Sequence, residues 1–285
     1  PGQMSPVAVV TDSTAYLPAD LLEGSSIDVV PVQVVIGGRP YDETADEAGS
    51  QRVADALRAW QPVTTSRPSP ERFRMAFAAA AEAGADAVVC ATLSSRMSAT
   101  FESAELAAKD VDIPVHCVDS RTVGMGLGFA VLAGARLAAE GAAAADVASL
   151  VERKARASTS LFYVDTLEYL RRGGRIGATR AVVGQALQVK PILQILDGEV
   201  MPLERVRTSA KAITRLTERV LAATLGRSVE IAIQHLDSAE RAQALGATLS
   251  DYLPRSRVIV CPLGAVVGAH TGPGILAAVV SPLLD

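Results

Sequence analysis

Asp86-Ala87-Val88-Val89-Cys90-Ala91-Thr92-Leu93 runs directly into Ser94-Ser95-Arg96-Met97-Ser98-Ala99-Thr100 and then into a helix-forming run from Phe101 to Lys109. Ala87 to Leu93 is a short, near-continuous apolar segment, the pattern of a strand buried on both faces of a parallel sheet. Phe101 to Lys109 holds good helix formers, and Ser98 stands where an N-cap belongs. The corner between them carries Ser94, Ser95, Ser98 and Thr100. Two readings of it stand side by side. One is a capping loop with surface serines. The other is an anion site, where backbone N–H groups and the positive end of a helix dipole converge on a carboxylate or phosphate.

Working outward, the same alternation of strand, polar corner and helix recurs, which predicts an α/β fold. Val7 to Thr11 reads as a first strand, closed by Asp12-Ser13-Thr14, residues suited both to helix initiation and to a ligand at a strand's carboxyl end. Ile27 to Ile36 reads as one β-branched strand ending at Gly37-Gly38. A helix is expected over Asp46 to Trp60. Val63-Thr64-Thr65-Ser66-Arg67-Pro68-Ser69-Pro70 reads as a second hydroxyl-rich loop, with Pro70 suited to the first turn of the next helix. Ile113 to Val118 is another strand, closed by Asp119-Ser120.

The second half has a different texture. Leu167 to Arg172 is a short helix stopped by Gly173-Gly174, and Asp197-Gly198 between two apolar runs signals a β-hairpin. Helices over Ser209 to Leu225 and Ala239 to Leu253 alternate with strands, and Ile275 to Val280 is a last strand. A length of 285 residues suits two domains, here 5–158 as a parallel α/β domain and 159–285 as a mixed α/β domain.

Composition narrows the function. Apolar residues make up 49% of the chain but aromatics only 4%, so the core is built from Ala, Val and Leu. A net charge of −4 and the lack of a lysine-rich block point away from a nucleic-acid partner. Cys90, Cys117 and Cys261 lie far apart in apolar runs and read as reduced core residues of a cytoplasmic protein. No apolar run is long enough for stable membrane insertion.

Catalytic motifs are scarce. Gly124-Met125-Gly126-Leu127-Gly128 lacks the G-x-G-x-x-G spacing of a dinucleotide loop and reads as close helix packing. No Gly-Lys dipeptide and no G-x-S-x-G occur. His116, His235 and His270 stand on separate elements without zinc spacing, so no metal and no catalytic residue is assigned. Arg171-Arg172-Gly173-Gly174-Arg175 is the densest basic cluster, and Arg205 and Arg207 lie on the expected hairpin. These arginines either cap helices and pair with Glu168, Glu199 and Glu204, or meet a phosphate or a partner protein.

Six motifs in order carry a family resemblance: Asp12-Ser13-Thr14, Thr65-Ser66 with Pro68, Ser94-Ser95 with Ser98 and Thr100, Val118-Asp119-Ser120, Gly173-Gly174-Arg175-Ile176, and His270 before Gly272-Pro273-Gly274. From about Val7 onward the chain resembles the DegV family, the fatty-acid-binding subunits of bacterial fatty acid kinase. The resemblance implies a two-domain fold that holds one long-chain fatty acid between its domains. The carboxylate is then presented to a separate fatty acid kinase for acyl phosphate formation, with no turnover and no cofactor of its own. It implies Thr65, Ser98 and His270 as carboxylate ligands. Asp12, Ser13, Ser66, Arg67, Ser94, Ser95, Ala99 and Thr100 lie adjacent, and Arg175, Arg205 and Arg207 form a docking surface for the kinase. Two positions depart from the family pattern, Arg67 for the usual Gln and Ala99 for the usual Gly. Arg67 adds a cation, and Ala99 disfavours a left-handed loop backbone. A small enzyme acting on a phosphorylated metabolite, with Ser94 to Thr100 as its phosphate cradle, is the rival reading.

Overall fold

The computed structural model describes residues 6–43, 47–176 and 190–284. The chain divides into two compact units, Pro1–Gln33 with Ser66–Arg156, and Val34–Thr65 with Ala157–Asp285. The junction at 156/157 lies beside the expected cut. Val34–Thr65, however, belongs with the second unit, which a single division near 158 does not provide for.

In the first unit, β1 (Val7–Asp12) is followed by a 3-10 turn (Ser13–Ala15), α1 (Ala19–Leu22) and β2 (Ile27–Val30). The expected strand from Ile27 to Ile36 is broken in two. Pro31 has no N–H to give to a ladder, so β2 stops at Val30 and β3 (Gln33–Ile36) joins a different sheet. This break is the physical reason the chain leaves the first unit early. It then forms β4 (Arg39–Asp42), α2 (Glu47–Arg58) and β5 (Val63–Ser66) before returning through α3 (Pro70–Glu82). Val63–Ser66 is a strand, not the loop its hydroxyl content suggests; alternate residues are exposed, as in an edge strand.

The first unit is completed by β6 (Ala87–Thr92), α4 (Thr100–Ala108), β7 (Val115–Asp119), α5 (Met125–Ala139) and α6 (Ala144–Ala157). Among the described residues its sheet runs β2-β1-β6-β7, every pair parallel. Phe73, Phe77, Ala80, Ala104 and Ala107 of α3 and α4 pack on Val10, Val30, Val88 and Cys90. Val9 and Val89, one residue out of phase, are buried as well, so both faces are covered. Gly128 lets α5 approach the turn after β1, because a Cβ there would lie 2.8 Å from the Ala15 carbonyl oxygen. The glycine triplet serves helix packing.

The second unit begins with β8 (Thr159–Tyr163) and α7 (Glu168–Arg172). Then follow β9 (Lys190–Leu196), β10 (Glu199–Val206), α8 (Ser209–Ala223), β11 (Val229–His235), α9 (Ala239–Tyr252), β12 (Arg257–Pro262), α10 (Ala265–Thr271) and β13 (Leu276–Pro282). Among the described residues the large sheet runs β10-β9-β8-β13-β11-β12 and is mixed, with β11 and β12 parallel and the other pairs antiparallel. The β9–β10 hairpin turns at Asp197 (φ 49°) and Gly198 (φ 84°), the left-handed pair that an Asp-Gly turn favours. Leu216, Val220, Ile231, Ile233, Leu245 and Leu249 fill the core beneath α8 and α9.

The segment 34–65 joins this unit through an apolar seam. Val34, Ile36, Val53, Ala56 and Leu57 pack on Ala265 and Ala269 of α10. Two buried polar ties add to it: Ser50 Oγ donates to the Leu263 carbonyl at 2.9 Å, and Val266 N donates to Glu43 Oε2 at 2.6 Å.

Candidate functional site

α10 was not anticipated from the sequence, and it positions His270. The helix packs on α2, ends at Gly272 with φ 80°, and carries His270 in its last turn. A Cβ at Gly272 would overlap the Tyr169 ring, and one at Gly274 would overlap Asp165, so the Gly-Pro-Gly loop lies tightly against the start of α7. β5 supplies the opposing group. Thr65 Oγ1 lies 2.7 Å from His270 Nε2, joining two residues that are 205 positions apart. Burial, and then the nearby Arg175 charge, hold the His270 ring down to about 4. At neutral pH the pair is therefore uncharged, two polar groups meeting in a largely apolar seam.

Arg175 is half-buried and gives its Nη1–H to the Gly173 carbonyl at 2.5 Å. Burial lowers its pKa, so it is a structural cation beside His270 rather than part of an exposed surface. Arg171 and Arg172 both pair with Glu168, whose carboxyl is held down to about 2 by those bonds. Glu204 is likewise taken by Arg215 and Arg219. Arg205 and Arg207 are exposed and have no ion pair among the described residues, so neither Glu168 nor Glu204 serves them.

The first unit carries the remaining expected residues. Asp12 is fully buried at the end of β1 and acts as a knot. Its Oδ1 accepts from Thr14 N at 2.8 Å and Thr14 Oγ1 at 2.5 Å, and its Oδ2 accepts from Leu93 N at 2.8 Å. Burial pushes the Asp12 pKa up, against the bonds from Thr14 and Leu93. Ser13 Oγ accepts from Val32 N at 2.9 Å. Both residues thus hold the corner in shape. Asp12→Asn should destabilise the protein by about 2 kcal/mol although it removes a buried charge. Both carboxylate oxygens accept from N–H groups, so the amide nitrogen of Asn must face one of those donors and leave it unsatisfied. Urea denaturation checks this, and an unchanged midpoint would remove Asp12 from the role of a knot.

Beyond Leu93 the corner folds on itself. Ser98 N donates to the Ser94 carbonyl at 3.2 Å, while Ser95 gives its N–H and O–H to Asp119. Ser98 is not the N-cap; that position is Ala99, and α4 starts at Thr100. The Ser98 side chain sits one residue earlier, with Oγ 2.8 Å from Thr100 Oγ1 and accepting from Thr100 N at 3.3 Å. Ala99 has φ −80°, so alanine fits there without a left-handed backbone. Arg67 reaches Glu102 of α4 at 3.4 Å, which compensates its extra charge, and the Ser66 side chain is exposed.

Ser98 belongs to one unit, and Thr65 and His270 to the other. Gly173 is the group sequence reasoning undervalued. Gly174 alone has the left-handed φ of 70° that a helix stop needs, yet two glycines are present. The second glycine is the signal of a close approach, because a Cβ on Gly173 would overlap the His270 ring. Cys90 and Cys117 are free, and burial pushes Cys117 up to about 11. Among the described residues no helix is long and apolar enough to cross a membrane, and no group of three or more His, Cys, Asp or Glu side chains suits a metal.

A family model described as "Uncharacterised protein, DegV family" matches residues 6–283. The chain belongs to the DegV family. A DegV domain-containing protein of Streptomyces coelicolor is 47% identical over 276 residues, covering 96% of this chain and 98% of the relative. Among solved structures, the DegV family protein of Thermus thermophilus, studied for its fatty acid binding, has a TM-score of 0.91 at 34% identity. That match covers 98% of this DegV chain and 100% of the other. DegV of Bacillus subtilis, a fatty acid binding protein, has a TM-score of 0.89 at 32% identity, with 98% and 100% covered. The DegV fold, with its parallel sheet first and its mixed sheet second, is thus shared along essentially the whole chain.

Proposed function

We propose that this protein binds one long-chain fatty acid and presents its carboxylate to a separate kinase, without turnover of its own. The observation that carries the reading is the neutral Thr65–His270 pair, 2.7 Å apart, at the family's motif positions in a chain that matches two fatty acid binders from end to end. The proposed head-group ligands are Thr65, Ser98 and His270, with Thr100 beside Ser98. A carboxylate held by neutral donors keeps an oxygen free to attack a phosphoryl group, the role a presented substrate needs. Burial of the acyl tail contributes roughly 0.8 kcal/mol per methylene, so the tail dominates affinity and the hydroxyls set orientation.

The rival enzyme reading needs Ser94 to Thr100 as a phosphate cradle. The Asp119 carboxylate, itself paired with Arg121 at 3.0 Å, occupies both donors of Ser95, so neither is available to a phosphate. Mass spectrometry of the purified protein separates the two readings: a co-purifying long-chain acid supports the carrier, and a phosphorylated metabolite refutes it. Incubation with ATP, magnesium and oleate but no kinase should yield no acyl phosphate.

The docking surface is assigned to Arg205 and Arg207, exposed cations without ion-pair partners among the described residues, whose charge suits a kinase with acidic side chains. Arg175 is dropped from that surface because it is half-buried against Gly173. Arg205→Ala with Arg207→Ala should leave melting temperature and oleate affinity near wild type, since exposed charges contribute roughly 0–1 kcal/mol to stability. The double variant should slow kinase-coupled acyl phosphate formation, and the difference from wild type should shrink as salt screens the attraction. Equal coupled rates at low salt would refute the docking role.

A further inference from the structure

α10 has little in its own sequence to hold it in place. Ala265–Thr271 is seven residues long and includes Val266, Val267, Gly268 and Thr271, all weaker helix formers than alanine. Its N-cap is Gly264, which has no side chain to offer the first turn. The first intrahelical bond runs from Gly268 N to the Gly264 carbonyl, so the N–H groups of Ala265, Val266 and Val267 need acceptors from outside the helix. The sides of the helix are smooth. Ala265 and Ala269 lie against α2, and a Cβ on Gly268 would overlap Leu236. Small side chains permit close approach, but their shallow ridges do little to stop a short helix from sliding or turning.

Glu43 supplies what Gly264 lacks. It follows β4 and is buried, and its Oε2 accepts from Val266 N at 2.6 Å across 223 positions of sequence. Val266 is the second residue of the helix, where an N-cap side chain would bond. A carboxylate there also meets the positive end of the helix dipole. Val266 and His270 stand one turn apart, and α-helical pairing returns the N–H of residue 270 to the carbonyl of residue 266. The residue that Glu43 holds is thus the one on which the backbone of His270 rests. A plainer role is available for comparison: Ser50 Oγ donates to the Leu263 carbonyl in the same seam and ties it together without touching the helix.

We propose that Glu43 is a positioning residue that acts on the head-group site through α10: its carboxylate caps the helix from outside and fixes the turn that carries His270. The step from His270 to a bound carboxylate rests on the fatty-acid reading; the step from Glu43 to His270 does not. Glutamine at position 43 keeps an acceptor for Val266 N, and alanine removes it. With alanine the first turn of α10 loosens, and a helix this short transmits the loosening to its last turn.

Titration of the His270 ring in the ligand-free full chain, followed by proton–nitrogen correlations of 15N-labelled histidine, reads the far end of the helix. His270→Gln identifies the signals by their loss, and His116→Gln with His235→Gln identifies them by elimination if that variant does not fold. The wild-type ring should titrate near 4, because it is buried, and Glu43→Gln should titrate there too. Glu43→Ala should admit water to the ring and raise its value to about 5 or above. Loss of a carboxylate charge alone would lower the value, so a rise reports the loosened helix. Ser50→Ala should lower the melting temperature and leave the ring near 4. An unmoved ring in Glu43→Ala, or an equal rise in Ser50→Ala, would make Glu43 a tie like Ser50 and overturn the proposal. If Glu43→Ala does not fold, Glu43→Asp takes its place: its carboxylate is one methylene short, the ring should again rise, and an unchanged value overturns the proposal. Oleate titration well below the melting transition tests the second step. Glu43→Ala should lose about tenfold in affinity, the worth of one hydrogen bond to a charged group, and Glu43→Gln less than about threefold. Wild-type affinity in Glu43→Ala would overturn the link to the head-group site. Failure of the wild-type protein to bind oleate would overturn the fatty-acid reading, while the ring titration still decides the role of Glu43.

Discussion

Thr65→Val combined with Ser98→Ala is expected to weaken oleate binding by about 3–6 kcal/mol, since each hydrogen bond to a charged group contributes roughly 1.5–3 kcal/mol. Both substitutions keep the size and shape of the side chain close to the original and remove one hydroxyl each. Thr65→Val also strips His270 Nε2 of its hydrogen-bond partner Thr65 Oγ1, so some loss of stability accompanies it. A fatty alcohol of equal length separates the two effects. Its head is neutral, and each of its hydrogen bonds is worth only about 0.5–1.5 kcal/mol, so the same variant should lose about half as much affinity for it or less. Isothermal titration with both ligands measures the difference. Equal losses for acid and alcohol would mean that the hydroxyls act through the fold, and the head-group assignment would fall.

Much of this arrangement is legible in the sequence, and the parts that are not share a cause. The strand–corner–helix from Ala87 to Ala108 reads directly, because an apolar run and a helix-forming run declare themselves locally. The Asp197-Gly198 hairpin reads for the same reason: both φ values are positive, and the residue types announce it. What local pattern cannot give is which unit a segment joins. Val34–Thr65 lies between two parts of the first unit in sequence, yet its apolar residues meet Ala265 and Ala269 more than two hundred positions later. α10 escaped notice because Ala265–Thr271 is short, contains Gly268 and runs into a Gly-Pro-Gly turn, so tertiary packing rather than propensity makes it helical. β5 was hidden by its hydroxyls, although threonine is a good strand residue. His270 was legible as a motif residue, but its pairing with Thr65 required those two hidden elements.

The His270 ring also makes a testable link between site and stability. Its pKa in the folded protein is pulled from the ordinary 6.5 to about 4, chiefly by burial and then by the charge of Arg175. A depressed value on a base means that folding favours the neutral ring. The contribution is complete above pH 6.5 and is lost progressively as pH falls through about 4, where the folded protein must bury an imidazolium. The full difference corresponds to roughly 3 kcal/mol, and partial exposure of the ring reduces it to about 2–3 kcal/mol. Other groups titrate over the same range, so the measurement is a difference between two proteins. His270→Gln cannot titrate and keeps a hydrogen-bonding side chain at that position, while His116, His235 and every carboxylate are common to both chains. Urea denaturation at pH 7 and pH 4 should show wild type losing about 2–3 kcal/mol more than the variant over that interval. A gap between the two proteins that does not change with pH would mean that the ring titrates freely in the folded state. The neutral Thr65–His270 pair would then be lost as an account of the head-group site, because a charged imidazole in solvent has no need of a hydroxyl partner.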